Sequence, residues 1–92
     1  MFFVYILYSQ KFSRYYVGNS ENIETRLKQH NIGKTKSTKN FRPWVLVHQE
    51  LFETRIEARK REIQIKSYKG GRAFRELLKK GADTEAVKRD RL

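Results

Sequence analysis

Apolar residues occupy almost every position from residue 2 to residue 8, which read Phe-Phe-Val-Tyr-Ile-Leu-Tyr. A run so rich in β-branched and aromatic side chains predicts a strand that is covered on both faces. Polar residues follow from Ser9 to Arg14 and predict a turn, after which residues 15–18 resume the strand pattern. The sequence therefore predicts an antiparallel hairpin as its first element.

A helical spacing of apolar residues comes next along the chain. Ser20 or Asn22 can cap a helix that runs to Asn31, and Gly33 is placed to stop it. The loop that follows, residues 34–42, is basic and has no apolar period. The pattern thus predicts a helix and then a long surface loop.

The second half of the chain predicts one strand and two helices. Residues 44–48 are β-branched and aromatic, Thr54 and Glu57 have the spacing of a capping box for a helix to Lys69, and residues 72–80 form a shorter amphipathic segment. The predicted fold class is α/β of the α+β type. It has a three-stranded antiparallel sheet flanked by three helices in the order β-β-α-β-α-α.

Length and composition limit the class of protein. With 92 residues the chain has room for one domain, predicted here over residues 1–82, with residues 83–92 as a polar tail. There is no cysteine, which excludes disulfides and thiolate metal sites and fits a cytoplasmic protein. The opening apolar run is too short to span a membrane, so no membrane association is predicted.

The charge indicates a polyanionic partner. Lys and Arg number 21 against 10 Asp and Glu, a formal net charge of +11, which favours nucleic acid. Ribosomal proteins and membrane-surface helices share this composition. Within residues 34–42 the basic side chains predicted to contact nucleic acid are Lys34, Lys36, Lys39 and Arg42.

Four polar side chains are candidates for chemistry in the first half of the chain. Alternation along the paired strands allows Tyr5 and Tyr16 to meet, although two tyrosines that merely pack would show the same pattern. Arg26 and His30 lie four residues apart on the predicted helix, where an arginine can bind a phosphate and a histidine can move a proton. An arginine and a histidine at the rim of the core are the alternative.

The candidate metal ligand is Glu62, which shares a helical row with Ala58 and Ile65. A carboxylate in such a row needs a partner. Mg²⁺ is one answer, because it takes one or two protein carboxylates and completes its shell with water and phosphate oxygens. A salt bridge to Arg61, Lys66 or Arg26 is the other.

Several segments together resemble the GIY-YIG nuclease family. Phe3-Val4-Tyr5, ten intervening residues and Tyr16-Val17-Gly18 are similar to the paired tripeptides that name the family. The helix over residues 22–33, the strand after Arg42 and the helix around Glu62 resemble its later motifs. The likeness covers about residues 2–80 and is greatest for small stand-alone bacterial members.

The resemblance implies a function and a role for each residue. It implies a metal-dependent endonuclease that hydrolyses phosphodiester bonds in DNA, with repair or recombination as candidate roles, and uses Mg²⁺ or Mn²⁺ held by Glu62. Tyr5 would be the general base beside Tyr16, Arg26 would stabilise charge on phosphate, and His30 would assist proton transfer. Arg26 or the metal would have to lower the pKa of Tyr5, so the rate would rise with pH. A catalytically inactive nucleic-acid-binding module of the same fold is the alternative, and a ribosome-associated protein is a third.

Overall fold

The structure, a computed structural model, describes residues 1–79. Its elements are β1 (Phe2–Ser9), β2 (Arg14–Ser20), α1 (Ile23–Asn31), a 3₁₀ turn (Lys39–Phe41), β3 (Val45–Phe52), α2 (Arg55–Ser67) and a third helix, α3, over residues 72–79. The predicted fold class and element order are confirmed. The proposed domain end at residue 82 and the tail over residues 83–92 lie outside the described residues and stay predictions.

The sheet has the order β2-β1-β3, and both outer strands run antiparallel to β1. Because β1 is central, its residues from Val4 to Leu7 are buried on both faces, as the continuous apolar run predicted. The third strand is longer than predicted and pairs with β1 as far as Phe2 opposite Phe52. The polar residues Gln49 and Glu50 directly follow His48, so the apolar pattern of the sequence ends there and the second half of the strand is concealed.

Two apolar clusters pack on opposite faces of this sheet. On one face Val4 and Ile6 pack against α2 and α3 through Ala58, Ile65 and Phe74. The second cluster, on the face toward α1, contains Tyr5, Leu7, Trp44, Tyr16, Ile23 and Leu27. Tyr5 of β1 and Tyr16 of β2 therefore face α1, whereas α2, the helix that carries Glu62, packs on the opposite face of the sheet.

Capping side chains fix where α1 and α2 begin. Asn22 is the cap of α1, since its Oδ1 accepts a hydrogen bond of 3.0 Å from the Thr25 amide. Thr54 and Glu57 form the predicted capping box of α2. This helix ends at Ser67 rather than at the predicted Lys69, because Lys69 and Gly70 adopt φ of 52° and 71°.

An ionic network ties β3 to α2 on the side of the sheet away from β2. Glu50 accepts hydrogen bonds from Arg61 at 2.7 and 2.9 Å and lies 2.8 Å from His48. Burial acts to raise the pKa of Glu50, but the hydrogen bonds from His48 and Arg61 outweigh it and lower the pKa to about 2. Glu50 is therefore ionised and paired at neutral pH.

We expect Glu50→Gln to lower the free energy of unfolding at pH 7 by roughly 2 to 3 kcal/mol, because the folded state loses a carboxylate whose pKa it depresses. Because the pKa of Glu50 is lower in the folded state, its ionised form stabilises the folded protein fully at pH values above its ordinary pKa of 4.5. This contribution is lost as the pH falls toward 2. Urea titrations of parent and variant should therefore differ at pH 7 and converge near pH 2. Equal stabilities at pH 7 would contradict the prediction.

Candidate active site

Tyr5 and Tyr16 meet over Gly18, as the alternation along the hairpin predicted. Tyr5 pairs with Gly18 across the strands, and the two tyrosine ring centroids are 6.3 Å apart. A Cβ atom at position 18 would lie 2.7 Å from the Tyr5 hydroxyl oxygen, closer than real contacts allow. Gly18 therefore lets the buried Tyr5 ring extend across β2 and bring its hydroxyl to the free edge of the sheet.

His30 is fully buried on α1 and bonds at both ring nitrogens. Its Nε2 is 3.1 Å from the Tyr5 hydroxyl, and its Nδ1 is 2.8 Å from Thr38 Oγ1. We assign the Nδ1–H tautomer to His30, because the Thr38 hydroxyl can donate its one proton to the Thr35 carbonyl at 3.3 Å and accept from Nδ1–H. The unprotonated Nε2 then accepts the Tyr5 proton.

Burial and the neighbouring Arg26 lower the pKa of His30 to about 4, so this ring is neutral at pH 7. Burial also raises the pKa of Tyr5, and the interaction with Arg26 offsets that rise only in part. Arg26 thus acts on the pKa of Tyr5 in the direction expected from the sequence, but burial outweighs it, and the net shift in the protein alone is upward. At neutral pH the pair is a protonated tyrosine that donates to a neutral histidine.

Arg26 is the cation of this cluster. Its guanidinium donates to Gln29 Oε1 at 2.9 Å and lies beside both tyrosine hydroxyls, and the interaction with Tyr5 raises the pKa of Arg26. A guanidinium at the rim of a buried pair has donors left for an arriving phosphate. The predicted set of Tyr5, Tyr16, Arg26 and His30 is thus brought together in one place.

Glu62 reaches the same edge of the sheet from the other face. It is only 4% exposed, and Ala58 and Ile65 of its predicted row are buried with it. Asn19 of β2 donates a short hydrogen bond to its Oε1. The Tyr5 hydroxyl and the Glu62 carboxylate are close enough for the charge of Glu62 to raise the pKa of Tyr5. The β2 edge therefore combines groups from both sides of the sheet.

Two basic side chains and one side-chain amide bind the Glu62 carboxylate. Lys66 Nζ is 2.7 Å from Oε2 and Arg59 Nη1 is 3.2 Å from Oε1, with both basic side chains half or more exposed. Burial acts to raise the pKa of Glu62, but the hydrogen bonds from Lys66, Asn19 and Arg59 outweigh it and lower the pKa. Of the salt-bridge partners suggested by the sequence, Lys66 is correct, whereas Arg61 binds Glu50 instead.

Comparison with known proteins identifies the family of the chain. Residues 1–73 match the GIY-YIG catalytic domain. The chain belongs to the GIY-YIG family. A UPF0213 protein of Staphylococcus haemolyticus is 45% identical over 67 residues, which are 72% of this chain and 80% of the relative. A UPF0213 protein of Staphylococcus aureus matches with the same identity and coverage.

A solved GIY-YIG relative of this size is the UPF0213 protein BH0048 of Bacillus halodurans, determined by NMR in solution. It is 31% identical, covers 85% of this chain and 82% of its own, and superposes with a TM-score of 0.48. The family is one of nucleases, and the UPF0213 name carried by these relatives states no activity. Within residues 1–79 no helix has the length and apolar character to cross a membrane.

The donor set of this GIY-YIG domain suits a hard cation held by a single carboxylate. Among residues 1–79 no three His, Cys, Asp or Glu side chains cluster as a metal cage. Mg²⁺ does not require one, since one carboxylate together with water and phosphate oxygens satisfies it. Glu62 is ionised and lies at the β2 edge, where Asn19 binds it, so it fits this requirement. A metal would have to displace Lys66 or Arg59.

The basic loop is more ordered than its sequence suggested. The four predicted contact residues, Lys34, Lys36, Lys39 and Arg42, are all exposed. Beneath them the loop is anchored by Thr38, whose carbonyl accepts from Trp44 Nε1 at 2.9 Å. Arg42 is partly engaged, because its Nε donates to the Lys39 carbonyl at 2.6 Å and its guanidinium packs beside Gly33.

Two residues of the site were missed by the sequence reasoning. Asn19 follows Gly18 on β2 and, by strand alternation, shares the face of Val17 toward α2, so its approach to Glu62 was accessible from the pattern. Thr38 lies in an irregular loop, and nothing in the sequence indicates that it orients His30. The role of Asn19 could therefore have been predicted from strand alternation, whereas that of Thr38 could not have been predicted from the sequence.

Proposed function

We propose that the protein is a metal-dependent endonuclease that hydrolyses phosphodiester bonds in DNA in the cytoplasm, with repair or recombination as candidate roles. The observation that carries this proposal is the hydrogen bond of 3.1 Å from the Tyr5 hydroxyl to the neutral, buried His30. A protonated tyrosine bonded to the proton-free Nε2 of a neutral imidazole can pass its proton to that nitrogen. Membership of a nuclease family supports the same conclusion.

The proton path follows from the hydrogen-bond directions. As Tyr5 takes a proton from the attacking water, it gives its own proton to Nε2 of His30, so no free tyrosinate has to form. The hydroxide oxygen bonds to phosphorus while the bond to the leaving oxygen breaks. Thr38 holds the opposite nitrogen of His30 and keeps Nε2 as the accepting atom. The leaving oxygen then takes a proton from water, and the fully buried His30 returns its own proton through the Tyr5 hydroxyl, which restores the starting state.

Arg26 couples substrate binding to this step. Its positive charge is the second cause of the low pKa of His30 in the free protein. A phosphodiester bound to the guanidinium offsets that charge, which raises the basicity of His30 when the substrate is in place. The same guanidinium faces the charge that develops on the phosphate oxygens.

Glu62 is the residue that would hold Mg²⁺ or Mn²⁺. When bound, such an ion stabilises negative charge on the phosphate and on the leaving oxygen. Asn19 positions the carboxylate through its hydrogen bond. Lys66 and Arg59, released from Glu62, are then free to contact neighbouring phosphates.

We expect the single-turnover cleavage rate of the parent to stay nearly constant between pH 6 and 9, because His30 with its pKa of about 4 is already neutral there. His30→Gln can still accept a hydrogen bond but cannot take the proton. The variant should be at least tenfold slower at pH 7, and its rate should rise with pH as tyrosinate forms. Rate profiles over this range at saturating Mg²⁺ make the measurement. If the rates of the parent and of the variant both rose tenfold per pH unit, the proposed proton transfer from Tyr5 to His30 would be contradicted.

We expect the basic loop to supply nonspecific affinity. Replacing Lys34, Lys36, Lys39 and Arg42 by Gln should reduce the log-log slope of DNA binding against salt by about one unit for each phosphate that the loop no longer neutralises. Single replacements should show a smaller effect for Arg42, which already bonds within the loop. Lys60→Gln, an exposed lysine of α2, is the control. If the variant with all four replacements showed an unchanged salt slope of DNA binding, the loop would not be part of the DNA interface.

The alternative function is a nucleic-acid-binding module that does not cut. Incubation with linear, flapped and branched DNA and with RNA, with and without Mg²⁺, separates the two. Metal-dependent cleavage of any DNA in the panel supports the nuclease. Binding without cleavage supports the module, and cleavage confined to RNA would overturn the assignment to DNA.

A further inference from the structure

Apart from the candidate active site, a cleft lies on the β2 edge, between β2 and the junction of α2 with α3. Its volume is about 300 Å³, and its wall includes Tyr15, Val17, Ile65, Lys66, Lys69 and Phe74. The volume is at the lower end of the range for ligand pockets, which suits a single small ring system. No acidic side chain lines the cleft in the described part of the chain.

Tyr15 gives this cleft an exposed aromatic surface in a fixed orientation. Its ring centroid is 4.7 Å from that of Tyr8, with the two planes tilted by 36°, and 5.0 Å from that of Phe74, with the planes at 75°. Despite these contacts Tyr15 is 47% exposed. A ring that is held by two neighbours and still open to solvent loses little entropy when a flat ligand stacks on it.

The charges at the cleft are all positive. Lys66 and Lys69 are both exposed and line it beside the Tyr15 ring. An aromatic ring next to ammonium groups can bind a nucleotide, because the base stacks on the ring and the phosphate of the same nucleotide contacts the ammonium groups. The chemistry of the cleft therefore fits a nucleotide better than an uncharged apolar ligand.

The cleft is continuous with the candidate active site. Tyr15 directly precedes Tyr16 on β2, and Lys66 binds the Glu62 carboxylate at 2.7 Å. The Tyr5 hydroxyl lies over Gly18, and Glu62 is bonded to Asn19. Tyr15 is therefore three and four residues away from these points along β2, or roughly 10 to 13 Å at about 3.3 Å per residue, which a bound strand covers in a few nucleotides. A strand laid along β2 would pass both.

We propose that this cleft binds the base of a nucleotide that lies a few nucleotides from the phosphate that is cut, stacked on Tyr15, with Lys66 and Lys69 at its phosphates. The binding is argued from geometry alone, whereas its distance from a cut phosphate rests on the proposed nuclease function. The cleft is thus a base-binding subsite, and its occupant is one nucleotide of the bound strand.

The test places 2-aminopurine, a fluorescent base that is quenched by stacking, at successive positions of a short oligonucleotide in the presence of EDTA. We expect quenching at one position when the parent protein binds. Tyr15→Leu keeps an apolar side chain against Phe74 but has no π face. It should abolish the quenching and weaken binding roughly tenfold, whereas Tyr15→Phe should retain both.

Charge is tested with a matched pair. Lys69→Gln and Lys60→Gln each remove one exposed lysine from the region of α2, but only Lys69 lines the cleft. Lys69→Gln should weaken binding of the probe severalfold more than Lys60→Gln. Melting curves followed by circular dichroism establish that each variant is folded. If Tyr15→Leu is folded and quenches and binds as the parent does, the subsite is overturned.

The failure of this subsite is distinguishable from failure of the nuclease. Without metal no bond is cut, so a protein that never cleaves DNA can still show quenching that depends on Tyr15. Conversely, a nuclease whose Tyr15→Leu variant binds normally loses only the subsite. In Mg²⁺ the cut is expected a few nucleotides from the quenched base and at a constant spacing from it, and a spacing that varies between oligonucleotides would overturn the proposed register.

Discussion

Tyr5→Phe is expected to lower the single-turnover cleavage rate at saturating Mg²⁺ by at least a hundredfold. General-base assistance contributes about 10² to 10⁴-fold, and the substitution removes the one oxygen that stands between the attacking water and Nε2 of His30. The ring itself is 1% exposed and packs among Leu7 and Trp44. The variant keeps those neighbours, so its melting temperature should change little.

Tyr8→Phe is the control for damage to β1. Tyr8 lies on the opposite face of the same strand, where its ring packs against that of Tyr15 rather than approaching His30. This variant should cleave at nearly the rate of the parent. If Tyr5→Phe is as active as the parent while Glu62→Gln is inactive, the metal chemistry stands and another base is required, with Tyr16 and His30 the next candidates.

Glu62→Gln is expected to abolish cleavage and to leave DNA binding largely intact. An amide has nearly the shape of the carboxylate but cannot anchor a divalent cation as a carboxylate does. Lys66 and Arg59, the partners that remain, are 50% and 61% exposed and can be solvated when the charge is removed. The cost in stability should therefore be about 1 kcal/mol or less, below the roughly 3 to 5 kcal/mol of a buried unpaired charge.

Glu50→Gln is the matched control for this carboxylate. Both glutamates are paired with basic side chains and have lowered pKa values, but Glu50 lies on β3, the strand at the other edge of the sheet from β2. We expect opposite phenotypes: reduced stability with normal cleavage for Glu50→Gln, and abolished cleavage with near-normal stability for Glu62→Gln. A large drop in the melting temperature of Glu62→Gln would indicate a structural salt bridge instead of a metal ligand.

Much of the fold was accessible from the sequence because local signals agreed with each other. The continuous apolar run predicted a central strand, and Thr54 with Glu57 predicted the start of α2. The second half of β3 was missed, since the polar residues Gln49 and Glu50 end the apolar pattern and imitate a loop. The end of α2 was misplaced because Lys69 takes a left-handed conformation that the residue type does not indicate.

The candidate site was predictable where it depends on periodicity. Alternation on β1 and β2 places Tyr5 beside Tyr16, and a spacing of four on α1 places Arg26 with His30. The pKa of Tyr5 was not predictable, because it depends on whether burial or Arg26 dominates, and burial does. That balance requires the three-dimensional environment.

The hydrogen bond from His30 to Thr38 has a consequence beyond the placement of one ring. Thr38 belongs to the basic loop, with Lys36 two residues before it and Lys39 directly after it. If the loop binds DNA as proposed, the strand would contact the same short segment whose Thr38 fixes the orientation of the His30 ring. The position of a bound strand and the alignment of the proposed proton acceptor would then depend on each other.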